Sequence, residues 1–179
     1  MDTSKRRAEI LPFKLIIMVL LIQLLSATGA SASENNNMFP GSSTTVNYEA
    51  VFEPIIEINL RQDAHLALSQ GRHVMVMFIK EGCTPCEQMK REVLADPEVQ
   101  AYFKKNFLSY HVNIYGDLPF IDAAAVALTE KTYAAREGIW GTPAFHFFGK
   151  DGRLVHKHIG GLSKDAFIRM GQKVAALHN

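Results

Sequence analysis

Seven residues in the middle of the chain, His73-Val74-Met75-Val76-Met77-Phe78-Ile79, form a continuous apolar run of strand length. An apolar run without alternation belongs to a strand buried on both faces, so it demands a sheet covered above and below. Directly after it comes Glu81-Gly82-Cys83-Thr84-Pro85-Cys86-Glu87, which holds the only two cysteines of the 179 residues. Glu87–Leu94 then reads as helix. The cysteines therefore sit at a strand-to-helix junction in the middle of a sheet, which limits both the fold and the chemistry.

The flanking pattern extends this unit in both directions. Leu60, Ala64, Ala67 and Leu68 fall on one face of a helix with Asn59 as N-cap and Gly71 as stop. Asp96-Pro97 opens a further helical segment to about Lys105, since Asp caps and Pro suits the first turn. Phe107–Ile114 is a second strand, and the helical crossover makes it parallel to the first in a right-handed β-α-β unit. Tyr115–Ala127, with Gly, Pro and Asp followed by small residues, reads as an inserted loop or partial helix. Leu128–Glu137 is expected to be helical and to end at Gly138. Ala144–Phe148 and Leu154–Ile159 flank Gly149-Lys150-Asp151-Gly152, a hairpin signal. Ser163 caps a closing helix with Phe167, Met170, Val174 and Leu177 apolar. The expected order is β-α-β-α-β-β-α, an α/β fold with a central mixed β-sheet flanked by helices. There is no internal repeat.

The N-terminus differs in kind. Lys5, Arg6, Arg7 and Lys14 precede an apolar run, Leu15–Leu25, and a small-residue exit ending in Ala30-Ser31-Ala32. This is the layout of an export signal, and the run is shorter than the roughly 20 apolar residues of a spanning helix. Residues 1–32 are expected to be a cleaved signal peptide, with a retained anchor as the alternative. Residues 33–56 are expected to be a flexible leader, within which Val46–Ile56 is ambiguous and could add a short strand. The domain proper is expected over 57–179, in the periplasm. Removing residues 1–32 takes away four of 19 basic and two of 18 acidic residues, leaving a net charge near −1. Such a balance offers no footprint for nucleic acid.

An oxidising destination favours structural disulfides, so several roles for Cys83 and Cys86 compete. Haem attachment needs Cys-x-x-Cys-His, and Glu87 stands where the His would be. A structural zinc site needs four ligands, and only two thiolates are present. His156 and His158 alternate along one strand face, but no spacing ties them to Cys83. A soft ion such as Cu(I) accepts two thiolates, which keeps a copper-handling module as an alternative. Loop-closure entropy makes so short a ring worth only ~1.9 kcal/mol, against ~4.7 for a hundred-residue loop, so an inert staple is poorly placed here. A redox pair fits better. Cys83 at a helix N-terminus meets unpaired N–H groups and a dipole that favours an anion, and Cys-x-x-Cys thiols acquire low pKa values. One helical turn brings the two sulfurs within disulfide reach. Cys83 would then be the exposed nucleophile and Cys86 the buried resolving thiol, with exchange through a mixed disulfide.

The strand, Gly-Cys83-Thr84-Pro85-Cys86, the helix, and Gly141-Thr142-Pro143 before a hairpin and C-terminal helix together resemble the thioredoxin superfamily. The stretches CTPCEQMKREVLADPEVQAYFKKNF, LTEKTYAAREGIWGTPAFHFFGKDGRLV and GGLSKDAFI are similar in particular to exported thioredoxin-related proteins of the SoxW type. The resemblance runs from about Asn59 to the end. It implies a thioredoxin fold with an insertion before the strand that follows Pro143, catalytic Cys83 and Cys86, and a cis Pro143. It also implies that the backbone of Thr142 pairs with a bound substrate segment. Trp140 is expected to add an apolar wall beside Pro143 or to pack at the core edge.

Two positions depart from thioredoxin. Gly82 replaces the usual Trp before the first cysteine, and Met77 replaces the buried Asp that aids deprotonation of the resolving thiol. Glu81 is the first candidate for that proton acceptor and Glu87 the second. Pro85 before the resolving cysteine resembles reducing thioredoxins, whereas Thr142 resembles isomerase and glutaredoxin sites. The expectation is a periplasmic reductase of protein disulfides, using the Cys83–Cys86 dithiol with no further cofactor and no metal. Its partners would be exported disulfide proteins and a membrane electron carrier that supplies reductant. The alternative is a thioredoxin-fold copper-binding or metalloprotein-assembly chaperone.

Overall fold

The computed structural model describes residues 47–149 and 151–177. The expected signal peptide and the first part of the leader lie outside the described residues. A 3-10 turn, Tyr48–Val51, comes first. It is followed by β1 (Ile58–Asn59) and α1 (Leu60–Ser69), where the Asn59 side chain accepts the N–H of Gln62 and fixes the helix start. Next come β2 (His73–Ile79) and α2 (Thr84–Met89), which runs on as a π-helical turn, Lys90–Leu94. Asp96 caps α3 (Pro97–Asn106) by accepting from the N–H groups of Glu98 and Val99, and β3 (Phe107–Asn113) follows. Two three-residue strands, β4 (Pro119–Ile121) and β5 (Ala127–Thr129), precede α4 (Glu130–Arg136). The chain closes with β6 (Ala144–Phe148), β7 (Leu154–Ile159) and α5 (Lys164–Ala176), the last capped by Ser163. Among the described residues no helix is long and apolar enough to cross a membrane.

The principal sheet has the order β3-β2-β6-β7, with β2 and β3 parallel and β6 antiparallel to both its neighbours. The apolar run of β2 thus occupies the interior, and every residue from Val74 to Phe78 is fully inaccessible. Its side chains divide between two cores, as strand alternation requires. Val74, Val76 and Phe78 join Leu60 and Ala67 of α1 and Tyr133 and Ala134 of α4 on one face. Met75 and Met77 join Met89, Val99, Phe103, Phe167 and Val174, which come from α2, α3 and α5, on the other. Phe103 and Phe167 stack with centroids 4.1 Å apart. Gly171 allows that approach, because a Cβ there would lie 2.8 Å from the Tyr102 ring.

Three local expectations give way. The insertion over 115–127 is a small second sheet, β1-β4-β5, rather than a loop or partial helix. Buried Glu130 organises it by accepting the N–H groups of Asn113 (3.1 Å) and Leu118 (3.4 Å). The helix expected from Leu128 starts at Glu130, because Thr129 and Thr132 form a reciprocal cap. The ambiguous stretch up to Ile56 forms the 3-10 turn and a packed strap rather than a strand. There Val51 is buried, the Glu53 N–H bonds the Ser109 carbonyl (2.8 Å), and Glu49 pairs with His111 (3.5 Å).

Candidate active site

Gly82 turns the chain from β2 into α2 at φ +68°, in the left-handed region where a side chain is strained even though the space around it is open. The turn delivers Cys83 as the N-cap of α2, with extended backbone and its Sγ accepting the N–H of Cys86 at 3.2 Å. Pro85 lies in the first helical turn, where its missing N–H costs nothing. Cys83 and Cys86 are joined in a disulfide, S–S 2.06 Å, with their Cα atoms 5.2 Å apart.

Against this pair lies the segment before β6. The Thr142–Pro143 peptide bond is cis. The Thr142 hydroxyl donates to Cys83 Sγ at 3.2 Å, and the Thr142 carbonyl oxygen lies 3.4 Å from the same sulfur. The Pro143 carbonyl accepts the Gly160 N–H at 2.8 Å, which fastens the loop after β7 to the same place. The sulfur of Cys83 therefore faces two neutral donors, one backbone N–H and one hydroxyl. In the dithiol state both would favour a thiolate over a thiol.

Cys83 is not the exposed member of the pair. It is 3% accessible and Cys86 1%, because Thr142 lies over the first sulfur with both its hydroxyl and its carbonyl. The proton-acceptor candidates are not brought to Cys86 by any hydrogen bond. Glu81 is exposed and makes no hydrogen bond or ion pair among the described residues. Glu87 is turned to Lys90 Nζ at 2.9 Å. Burial works against the Lys90 charge, but Glu87 and the Tyr48 ring 4.7 Å away hold its pKa above the usual lysine value. Met77 lies among the apolar side chains of the second core, with His111 as its cross-strand partner on β3.

Trp140 does not pack at the core edge: it is 82% exposed, two residues before Thr142. Ile159, also exposed, lies against Gly141, its Cγ2 3.2 Å from where a Gly141 side chain would start. His156 and His158 are half-buried, facing the Phe147 and Phe145 rings at 6.1 and 6.4 Å rather than standing on an open strand face. Burial, with Lys173 and His158 nearby, lowers the His156 pKa. Among the described residues no group of three His, Cys, Asp or Glu converges as a metal site.

The residue-by-residue reading missed two features. One is the hydroxyl contact of Thr142 with Cys83, although Thr142 itself was singled out. The other is a groove of about 520 Å³ that begins at Pro85 and runs between α2 and the loop at 161–164. Its two walls are more than sixty positions apart in the chain, so no local pattern signals it.

A family model of the thioredoxin-like domain matches residues 60–175. Among solved structures the chain is similar to a thioredoxin-fold protein from Helicobacter pylori, with 20% identity over 73% of this chain and 80% of that one and a TM-score of 0.60. It is also similar to a thioredoxin from Thermus thermophilus, with 26% identity over 68% and 88% of the two chains and a TM-score of 0.52. No curated protein sequence matches. The fold is the thioredoxin fold, and the chain belongs to the thioredoxin-like domain family.

Proposed function

We propose that this protein is an exported thiol-disulfide oxidoreductase of the SoxW type that reduces disulfides in other exported proteins. The observation that carries the reading is the Cys83–Cys86 disulfide at the start of α2, with the Cys86 N–H and the Thr142 hydroxyl both directed at Cys83 Sγ. In the dithiol state the Cys83 thiolate attacks one sulfur of a client disulfide. An S–S bond forms between Cys83 and the client, and the other client sulfur leaves as a thiolate. The Cys86 thiolate then attacks Cys83 Sγ, releases the second client thiolate and closes the disulfide seen in the structure. Two electrons pass to the client, and a dithiol donor, proposed to be a membrane electron carrier, returns the protein to its reduced form.

Reduction is proposed over oxidation because the two donors to Cys83 Sγ, although they favour the thiolate, carry no charge. Strong oxidants are those whose reduced form is stabilised. Among the described residues the donors to Cys83 Sγ are both neutral, and the ammonium of Lys90 is engaged by Glu87. Pro85, as in reducing thioredoxins, adds no charge. Thr142 and Pro143 hold the client strand beside the cysteine, and exposed Trp140 adds an apolar contact. Glu81, exposed two residues before Cys83, is kept as the proposed acceptor for the Cys86 proton.

A Cys86→Ser variant tests the reading: it should accumulate mixed disulfides through Cys83 in the periplasmic fraction, and mass spectrometry identifies the clients. Wild-type dithiol should reduce a protein disulfide in stoichiometric amount. Absence of both adducts and reduction defeats the proposal, and N-terminal sequencing of the exported form tests cleavage after Ala32.

A further inference from the structure

The groove that starts at Pro85 leads away from the redox pair along α2, opposite Gly161–Lys164. Its floor is apolar: Met89 and Val93 are 2% and 4% exposed, and Leu162 is packed on the same core. Its far end carries two ionisable side chains with different surroundings. Lys164 is already held by Asp96 at 2.9 Å and Glu98 at 2.8 Å. Glu92 receives only the neutral amide of Gln88, at 2.9 Å, and pairs with no cation among the described residues. The end of the groove is therefore locally anionic, with one carboxylate left to be matched.

The groove is continuous with the place where a client's sulfur must sit, because Pro85 lies between the two cysteines and Gly161 follows the residue bonded to Pro143. We infer that this groove selects the client: it takes the polypeptide segment beside the reacting cysteine, with an apolar side chain over Met89, Val93 and Leu162 and a basic side chain at Glu92. This inference rests on the oxidoreductase reading and adds a substrate class to it. From Pro85 to Glu92 the helix rises roughly 10 Å, which an extended strand covers in about three residues. The basic residue thus belongs about three positions from the client's cysteine.

The test uses the reduced full-length mature protein and peptide disulfides that carry Leu or Asn next to cysteine and Lys or Glu three positions away, on either side. On one side of the cysteine, the Leu and Lys peptide should be reduced with a kcat/KM about tenfold above the Asn and Glu peptide, the difference lying in KM. Glu92→Gln should cut the Lys preference about fivefold, the size of one exposed charge pair. Leu162→Asn should cut the Leu preference. In both variants the midpoint potential and the rate with a small disulfide lacking flanks should stay as in wild type. Equal kcat/KM across the panel in a protein that does reduce disulfides overturns the inference and leaves the oxidoreductase reading intact. So does a loss in either variant that is equally large for the small disulfide. Failure to reduce any disulfide instead overturns the reading beneath it.

Discussion

His146 stands in the centre of β6, 1% exposed, with neither ring nitrogen hydrogen-bonded among the described residues. The Phe78 ring meets it edge-on at 4.8 Å, and Lys157 is its cross-strand partner on β7. Burial first, and the Lys157 charge second, push its pKa down from 6.5 to about 4, against a smaller opposing effect of Glu137. The unfolded chain therefore binds a proton between pH 6.5 and 4 that the folded protein refuses. Stability is fully present above the unfolded value and falls with pH until the folded value is reached. At 1.36 kcal/mol per unit, the loss attributable to this one side chain is about 3 kcal/mol, a large share of a domain's stability. Urea unfolding of the oxidised protein, followed from pH 7 to pH 4, measures it. His146→Leu keeps an apolar shape and removes the titration, so its stability should fall less over the same interval, by about 3 kcal/mol, equivalent to roughly 2 M in midpoint. Parallel pH curves for the two proteins would refute the argument, since His156, whose pKa is also lowered, is present in both.

Four further outcomes are expected. Gly116→Ala places a Cβ directly against Glu130 Oε2; displacing that buried carboxylate should cost about 1–3 kcal/mol in denaturant unfolding. Asp122 is buried, and although burial opposes its charge, the Val126 N–H and Arg136 outweigh it and hold its pKa low. Arg136→Ala should therefore cost about 1–2 kcal/mol at pH 7, discounted for the part-exposed guanidinium, with the difference vanishing as pH falls through the folded aspartate value. Thr142→Val removes one donor to Cys83, and alkylation of the reduced protein at neutral pH should slow about tenfold, the effect of losing ~1.5 kcal/mol at a charged sulfur. Trp140→Ala should leave unfolding within about 0.5 kcal/mol of wild type, as at other exposed positions, while raising KM for a protein disulfide; an equal KM removes Trp140 from the client site.

What was legible in the chain was what short-range chemistry determines. The unbroken run of β2, the caps Asn59, Asp96 and Ser163, and the hairpin after β6 all follow from backbone donors, acceptors and burial within a few residues. The cysteine pair and Thr142-Pro143 were legible for the same reason, since each is a local motif. Features made by distant partners were not. The strands β4 and β5 have three residues each, too few for a period to show, and they exist because Glu130 gathers the turn at 113–118 from the far side. Cys83 reads as exposed from its own neighbours, and only Thr142, 59 positions away, covers it. His146 lies in the run Ala144–Phe148, where an apolar pattern hides the one residue that titrates.

The strap at residues 47–55 also covers part of the edge of the principal sheet. β3 is an outer strand of the principal sheet, and an outer strand with free backbone groups invites pairing with another chain. Here the Glu53 N–H takes the Ser109 carbonyl, Phe52 sits edge-on against His111 at 5.1 Å, and Arg72 ties Glu53 to the Phe107 carbonyl. Residues 47–55 are thus an edge guard that the chain supplies to itself. A version begun at residue 57 would keep every residue of the redox site, yet it would open this edge together with the apolar seat of Val51. Size-exclusion chromatography should show it more self-associated than the chain that keeps residues 47–56.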